Sequence, residues 1–348
     1  MKTFNYKALE NKTWDNEIMG LLSFIHEERG KQALYLKQKP EELEKLVEVA
    51  KIQSTEASNA IEGIRTTDTR LKQLMNDKTT PRSRDEKEIA GYRDALNTIH
   101  ESFDYIPLQV NYILQLHQIL LSHTESSYGG QFKNVQNYIS ASNQKGETFT
   151  LFTPLDPFET PMAMENLCEE YNRIIGDGKV DSLLVIPIFI HDFLCIHPFL
   201  DGNGRMSRLL TTLLLYRNGY YVGRYISLEA IISKNKDLYY DALYASQQNW
   251  HEGKDDPTPF IKYILGTVVA AYKEFENRVN IVSDSVSTED TVRKAVQSTI
   301  GKFTKSDIRE IIPSVGEKTL ERYIKILCDK GEIEKHGAGK STYYVRLK

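Results

Sequence analysis

HPFLDGNGRMSR, residues 197–208, places a histidine, an acid, a Gly-Asn-Gly turn and two arginines in one short run. Two glycines beside an asparagine let the chain turn so that successive backbone N–H groups point inward, a nest that binds anions. The segment opens into a helical pattern, RMSRLLTTLLLYRNG (205–219), with a stop at Asn218-Gly219. The first free N–H groups and positive dipole end of such a helix also favour phosphate. Arg205 and Arg208 are three apart, share a helix face and can grip one polyanion. Asp201 stands beside the turn, where a carboxylate could hold Mg2+ bridging phosphates. His197 is the one group here that titrates near neutrality, which suits a general base. The plain alternative is a turn that caps a helix with its charges solvated, and Gly-Asn-Gly by itself carries no more than that. A Walker A loop is excluded, because Lys-[Ser/Thr] is missing and no strand leads in. With all these residues at fixed offsets, the stretch reads as a nucleotide-phosphate site with a proton acceptor beside it.

Working outward, the surroundings are mostly helical. Leu43, Leu46, Val47, Val49, Ala50, Ala57 and Ile61 recur at helical spacing from Pro40 to about Ile64, with Gly63 as a stop. Helices are also expected in TDTRLKQLM (67–75), in 83–103 with Ser83 or Asp85 as cap, in 108–122, and in MAMENLCEEYNRII (162–175). SLLVIPIFIHDFLCIH (182–197) should end at His197, since Pro198 disfavours helical backbone before it. Residues 129–157 break the pattern: short β-prone pieces surround a Ser-Asn-Gln-Lys-Gly turn, which predicts a hairpin or extended loop. Helices resume in 227–250 and 258–280.

The chain has 348 residues, a net charge of −4 and 26% charged residues, an ordinary soluble composition. Cys168, Cys195 and Cys328 are far apart and read as reduced thiols in a cytoplasmic protein. The N-terminus lacks a basic stretch followed by an apolar run, so no signal peptide is expected. The most apolar segment, 182–200, holds two prolines, two histidines and an aspartate, and is expected as buried core rather than a membrane span.

The run His197–Arg208 also resembles the signature of the Fic family of AMP-transferring enzymes, H-x-F-x-[DE]-G-N-G-R-x-x-R, at every defined position, and the likeness extends over roughly 40–275. It implies an all-helical core with a β-hairpin flap, in line with the hairpin read at about 134–153. By that resemblance His197 would deprotonate a hydroxyl of an unidentified target protein, or of the chain itself. The hydroxyl would attack the α-phosphate of ATP. Asp201 would hold Mg2+. Asn203 and the amides of Gly202, Gly204 and Arg205 would hold phosphates, with Met206 and Ser207 inside the same ATP-binding stretch. Arg205 and Arg208 would bind the β/γ end. DLYYDALYASQQNW (237–250) resembles the segment lining the adenosine site, which makes Tyr239, Tyr240 and Gln247 candidates for nucleoside contacts; the alternative is helix packing. The flap, around Ile139 and Ser140, would align the target by strand addition, although Lys133 stands where arginine is common.

SNAIEG (58–63) fits the family's inhibitory pattern [ST]-x-x-x-E-[GN]. Ser58 and Glu62 share a helix face, and the implied brake is Glu62 pairing with Arg208. The same carboxylate could position water for AMP removal. Transfer of another phosphate-containing group is a further alternative.

His191, six residues before His197, could suggest zinc, but the spacing fits no metal pattern and a core histidine is the better reading. Cys195 reads as a buried thiol. The tail is different in kind. DTVRKAVQSTIG, TKSDIREII and GEKTLERYIKILCDKG read as three helices, and EIEKHGAGKSTYYVRLK as a hairpin, the order of a winged helix-turn-helix. Residues 290–348 carry 13 Lys+Arg against 8 Asp+Glu, a net of +5. Lys318, Arg322, Lys325 and Lys340 would face DNA, or the module would dock protein or a second copy. The expected organisation is an N-terminal helical region (1–107), a catalytic core (108–280), a linker (281–289) and the winged helix (290–348). The leading reading is a self-inhibited protein adenylyltransferase, and the rival is a nucleotide-sensing DNA-binding transcriptional regulator.

Overall fold

The computed structural model describes residues 2–38, 40–142, 148–283 and 287–347. Eleven helices surround one site: α1 (Asn16–Gln38), α2 (Pro40–Ile61), α3 (Asp68–Met75), α4 (Arg84–Ser102), α5 (Val110–Leu120), α6 (Thr160–Asp177), α7 (Ser182–Ile196), α8 (Asn203–Arg217), α9 (Leu228–Lys234), α10 (Lys236–Ser246) and α11 (Thr258–Ser283). Between α5 and α6 lies a hairpin of β1 (Ile139–Ser142) and β2 (Thr148–Phe152). Its strands are antiparallel, with a bulge between Ile139 and Ser140. The hairpin is narrower than 134–153, and residues 143–146 of the expected turn lie outside the described residues.

The helix boundaries follow local chemistry. Ser83 caps α4 by accepting the N–H of Glu86. Leu43, Leu46, Ala50, Ala57 and Ile61 of α2 are buried, while Gly63, at φ +83°, turns the chain after its end. α7 is apolar nearly all round because α6, α8 and α11 cover it. Pro198 does end it, and His197 responds by adopting left-handed backbone, φ 51° and ψ 62°. A non-glycine residue is strained there. Gly219, at φ +81°, follows the end of α8. The expected helix over 227–250 is two helices meeting at Asn235, followed by turns. No described helix is long and apolar enough to cross a membrane.

One hydrophobic cluster runs from Phe4 to Val279, so residues 1–107 and 108–280 share a core rather than forming separate units. The expected linker is partly helical: α11 reaches Ser283, and α12 (Thr288–Gln297) starts from a Ser287 cap; residues 284–286 lie outside the described residues. After α12 come β3 (Lys302–Phe303), α13 (Lys305–Ile311), α14 (Glu317–Asp329), β4 (Ile333–His336) and β5 (Tyr343–Arg346). The strands form an antiparallel sheet in the order β3-β5-β4. This unit has its own core, built on Val292, Phe303, Ile308, Leu320, Ile324 and Tyr344.

Candidate active site

The loop between α7 and α8 is held from behind. Phe199 is fully buried, its ring stacked on His117 at 3.7 Å. Gly130 N–H donates to His117 Nδ1, so Nε2 carries the proton and donates to the Asp201 carbonyl at 3.1 Å. Burial holds His117 down at about 4, keeping this neutral form. Lys133 Nζ donates to the Ile196 carbonyl and its N–H to the Pro198 carbonyl. The loop therefore enters α8 with a fixed shape, and Gly202 turns the corner at φ +81°.

α8 begins with its first intrahelical bond from Met206 N–H to the Gly202 carbonyl. The N–H groups of Asn203, Gly204 and Arg205 precede that bond and have no helical acceptor. They open on a cleft of about 950 Å³. His197, Asp201, Gly202, Asn203, Gly204, Arg205, Arg208, Tyr239, Tyr240, Gln247, Ile139, Ser140 and Glu62 all line it. Residues from four separate stretches of sequence thus meet in one cavity.

His197 Nδ1 lies 3.3 Å from the Leu194 carbonyl. A carbonyl only accepts, so Nδ1 bears the hydrogen and Nε2 keeps its lone pair. Burial is the main cause that lowers His197 to about 4; Lys133 adds to it, while the Leu194 carbonyl, Glu62 and Asp201 oppose it. The ring is neutral at pH 7. A triphosphate beside it would favour the charged form and move it back toward neutrality.

Glu62 and Ser58, on α2, meet Arg208. Arg208 Nη2 donates to Glu62 Oε1 at 2.8 Å and to the Ser58 carbonyl at 2.9 Å, and Nε donates to Ser58 Oγ at 2.8 Å. Arg208 is buried, so these contacts take up its fork. The Glu62 carboxylate also lies over Gly204: a Cβ there would collide with Glu62 Oε1. A carboxylate therefore occupies the anion position at the start of α8.

Four residues of the expected ATP-binding stretch are engaged within the chain. Asn203 is not free to hold phosphate. Its Oδ1 accepts the Phe199 N–H at 2.9 Å and its Nδ2 donates to the Phe199 carbonyl at 2.7 Å, so the side chain closes the turn. Arg205 is enclosed, with Nη1 2.8 Å from Glu88 Oε2 and Nη2 3.3 Å from Asp201 Oδ1. Met206 lies in the hydrophobic core, its N–H already bonded. Ser207 is buried and donates to the Gly204 carbonyl. Tyr239 is nearly buried against Phe260 and Tyr263, whereas Tyr240 is exposed on the wall, with Lys236 Nζ 5.6 Å from its ring centre. His191 is fully buried; Lys2 Nζ binds both Asp192 and Asp255 beside it, so an ammonium already fills that acidic corner.

Asp201 suits Mg2+. Its Oδ1 is bonded to the Gly202 N–H, while Oδ2 has Arg84 Nη2 at 3.7 Å, beyond hydrogen-bond reach. A half-exposed carboxylate with an open oxygen, next to a phosphate cradle, is the donor set Mg2+ uses. Sequence reading missed His117 and Asn137 behind the loop, and Arg84, Glu88, Lys236 and Tyr244 on the cleft wall. The Arg84/Glu88 spacing of four was visible, but it also fits a plain surface ion pair.

The helical fold, the hairpin over the cleft and the anion cradle with its adjacent imidazole define a Fic-type domain. Residues 107–215 match the Fic/DOC family model. It is 29% identical over 128 residues to a Fido domain-containing protein of Dictyostelium discoideum, covering 36% of this chain and 85% of that one. It is 28% identical over 182 residues to the protein adenylyltransferase Fic of Drosophila erecta, covering 51% of this chain and 31% of that one. The chain therefore spans most of the first relative and under a third of the second. A Fic family protein from Desulfovibrio desulfuricans G20 has a similar structure, with a TM-score of 0.62 at 21% identity and 97% of both chains covered.

Proposed function

We propose that the chain is a self-inhibited protein adenylyltransferase. The observation that carries this reading is the Glu62 carboxylate seated on Arg208 and over Gly204, in the same cleft as the free Nε2 of His197. An anion site at a helix start, already filled by the chain's own acid beside a base, is what a blocked phosphate-transfer site requires. With Glu62 withdrawn, the free N–H groups of α8 and Arg208 hold the phosphates. The target hydroxyl gives its proton to His197 Nε2 as its oxygen bonds to the α-phosphorus. The bond from that phosphorus to the oxygen bridging the β-phosphate breaks, and pyrophosphate leaves with the electron pair. Asp201 would hold Mg2+, which when bound would neutralise phosphate charge. The protein's contribution is alignment and fixed charge. The flap strands pair with no other described strand, leaving an edge for an extended target segment. The Drosophila relative's name supports AMP as the transferred group. Incubating Glu62→Gly protein with α-labelled ATP should label the protein or a lysate target, and His197→Ala should abolish it. No labelling from either variant refutes the reading, and competition by other nucleotides exposes a different donor. Release of AMP from labelled product by the unmodified chain, but not by Glu62→Gly, would add the reverse activity.

A second reading concerns the C-terminal unit, which we take as a winged helix that contacts duplex DNA. Lys318, Arg322 and Lys325 line the exposed side of α14, opposite the buried Leu320, Ile324 and Leu327. Two of the helix's three acids are engaged elsewhere, Glu317 with Arg309 and Glu321 with Lys305. No described carboxylate pairs with the three cations; the side chain of Lys340 lies outside the described residues. Fluorescence anisotropy on a labelled duplex should give a log K against log salt slope near −3, about one unit per phosphate contact. No binding at low salt would leave α14 as a protein-docking face.

A further inference from the structure

Three arginines approach the start of α8, and their situations differ. Arg208 is bound to Ser58 and Glu62. Arg205 is enclosed between Glu88 and Asp201 with 2% of its side chain exposed. Arg84, the first residue of α4, has 78% of its side chain in solvent and lines the main cleft. Its Nε donates to Glu88 Oε1 at 2.7 Å, which fixes the direction of the guanidinium. Among the described residues its outer nitrogens make no hydrogen bond, and Nη2 lies 3.7 Å from Asp201 Oδ2.

Arg84 also stands at a junction. A second cleft, of about 450 Å³, adjoins the first, and Arg84, Glu88 and Asp201 line both. Lys87 and Tyr128 line its far side. Without Arg84, the charged residues lining the main cleft are Arg205, Arg208 and Lys236 against Glu62, Asp85, Glu88 and Asp201, so a polyphosphate would meet a net negative wall. Glu88 cannot release Arg205 without leaving a buried charge unpaired. Arg84 can turn its outer nitrogens toward a phosphate while its Nε stays on Glu88.

We propose that Arg84 is a phosphate-binding residue for the distal end of the nucleotide and for pyrophosphate as it departs toward the second cleft. This rests on the adenylyl-transfer reading above. When the bond between the α-phosphorus and the bridging oxygen breaks, charge accumulates on the pyrophosphate, and Arg84 joins Arg208 at its outer end. Glu88 is a positioning residue, shared between Arg84 Nε and Arg205 Nη1.

The test titrates Glu62→Gly protein calorimetrically with pyrophosphate plus Mg2+ and, separately, with AMP. The same titrations are repeated on Glu62→Gly/Arg84→Ala and Glu62→Gly/Arg84→Lys. Arg84→Ala should weaken pyrophosphate binding roughly ten-fold and leave AMP binding unchanged, and Arg84→Lys should restore part of the loss. Equal pyrophosphate affinity with and without Arg84 overturns the assignment. So does a parallel loss for AMP and pyrophosphate, which would mark a disturbance of the whole cleft. If the Glu62→Gly parent binds neither ligand, the adenylyl-transfer reading falls and the Arg84 assignment falls with it.

Discussion

Replacing Glu62 by alanine should move stability and nucleotide affinity in opposite directions. Arg208 is 4% exposed and makes three hydrogen bonds, two to Ser58 and one to Glu62. A hydrogen bond between charged groups contributes about 1.5–3 kcal/mol. The Glu62 side chain is 33% exposed, so water screens the pair and the lower end, about 1.5 kcal/mol, is the better figure. Without ligand, Glu62→Ala leaves a buried guanidinium without its carboxylate partner, and the melting temperature should fall by about 2–4 °C. With ATP, the phosphates no longer compete with a carboxylate for Arg208 and the start of α8, so affinity should rise about ten-fold. Thermal melts with and without ATP, joined to calorimetric titration, read both effects. Unchanged ATP affinity would refute the argument that Glu62 occupies a phosphate position, whatever happened to the melting temperature.

Other expectations follow from the same geometry. His197→Ala should keep ATP affinity and lose at least about a hundred-fold in transfer rate, measured under single-turnover conditions. Asn203→Ala removes both bonds that close the 199–203 turn; it should lower the unfolding free energy by about 1–3 kcal/mol in urea titrations and slow transfer more than it weakens ATP. Gly204→Ala should displace the Glu62 carboxylate and also narrow the anion cradle, so neither Glu62 pairing nor tight phosphate binding survives; calorimetry with ATP should show weaker binding than for Glu62→Ala. Burial holds His117 at about 4 and His100 at about 3 in the folded chain, against about 6.5 unfolded. The unfolded chain takes up these protons first, so stability is full above about pH 6.5 and falls as pH drops toward 4 and then 3. The urea midpoint followed from pH 7.5 to 4.5 should decline, and a flat profile would contradict the buried neutral assignment of both rings.

Much of the site was legible because offsets along a helix are short-range facts. The end of α7 at His197 followed from Pro198, although the left-handed backbone that aims the ring did not. Glu62 and Ser58 lay on a face that could be read from their spacing of four. The inward turn of Met206 and Ser207 was also available: if Arg205 and Arg208 face the cleft, the two residues between them point elsewhere on the helix. Asn203 and Arg205 could not be resolved in this way. Their residue types suit phosphate equally well, and what engages them comes from Phe199 across a tight turn and from Glu88 on a distant helix. A side chain closing its own turn competes with any ligand, and the long-range Arg205–Glu88 pair leaves no periodic trace. The shared core of residues 4–279 was hidden for a related reason, because α1 and α11 pack together from opposite ends of the sequence.

The most direct measurement is a crystal structure of the Glu62→Gly protein with a non-hydrolysable ATP analogue and Mg2+. The account predicts triphosphate on the N–H groups of Asn203, Gly204 and Arg205, with Arg208 on its distal end. His197 Nε2 should stand where it can reach a hydroxyl placed roughly 3–3.5 Å from the α-phosphorus. Nucleotide bound outside the 950 Å³ cleft, or with its α-phosphate turned away from His197, would contradict it.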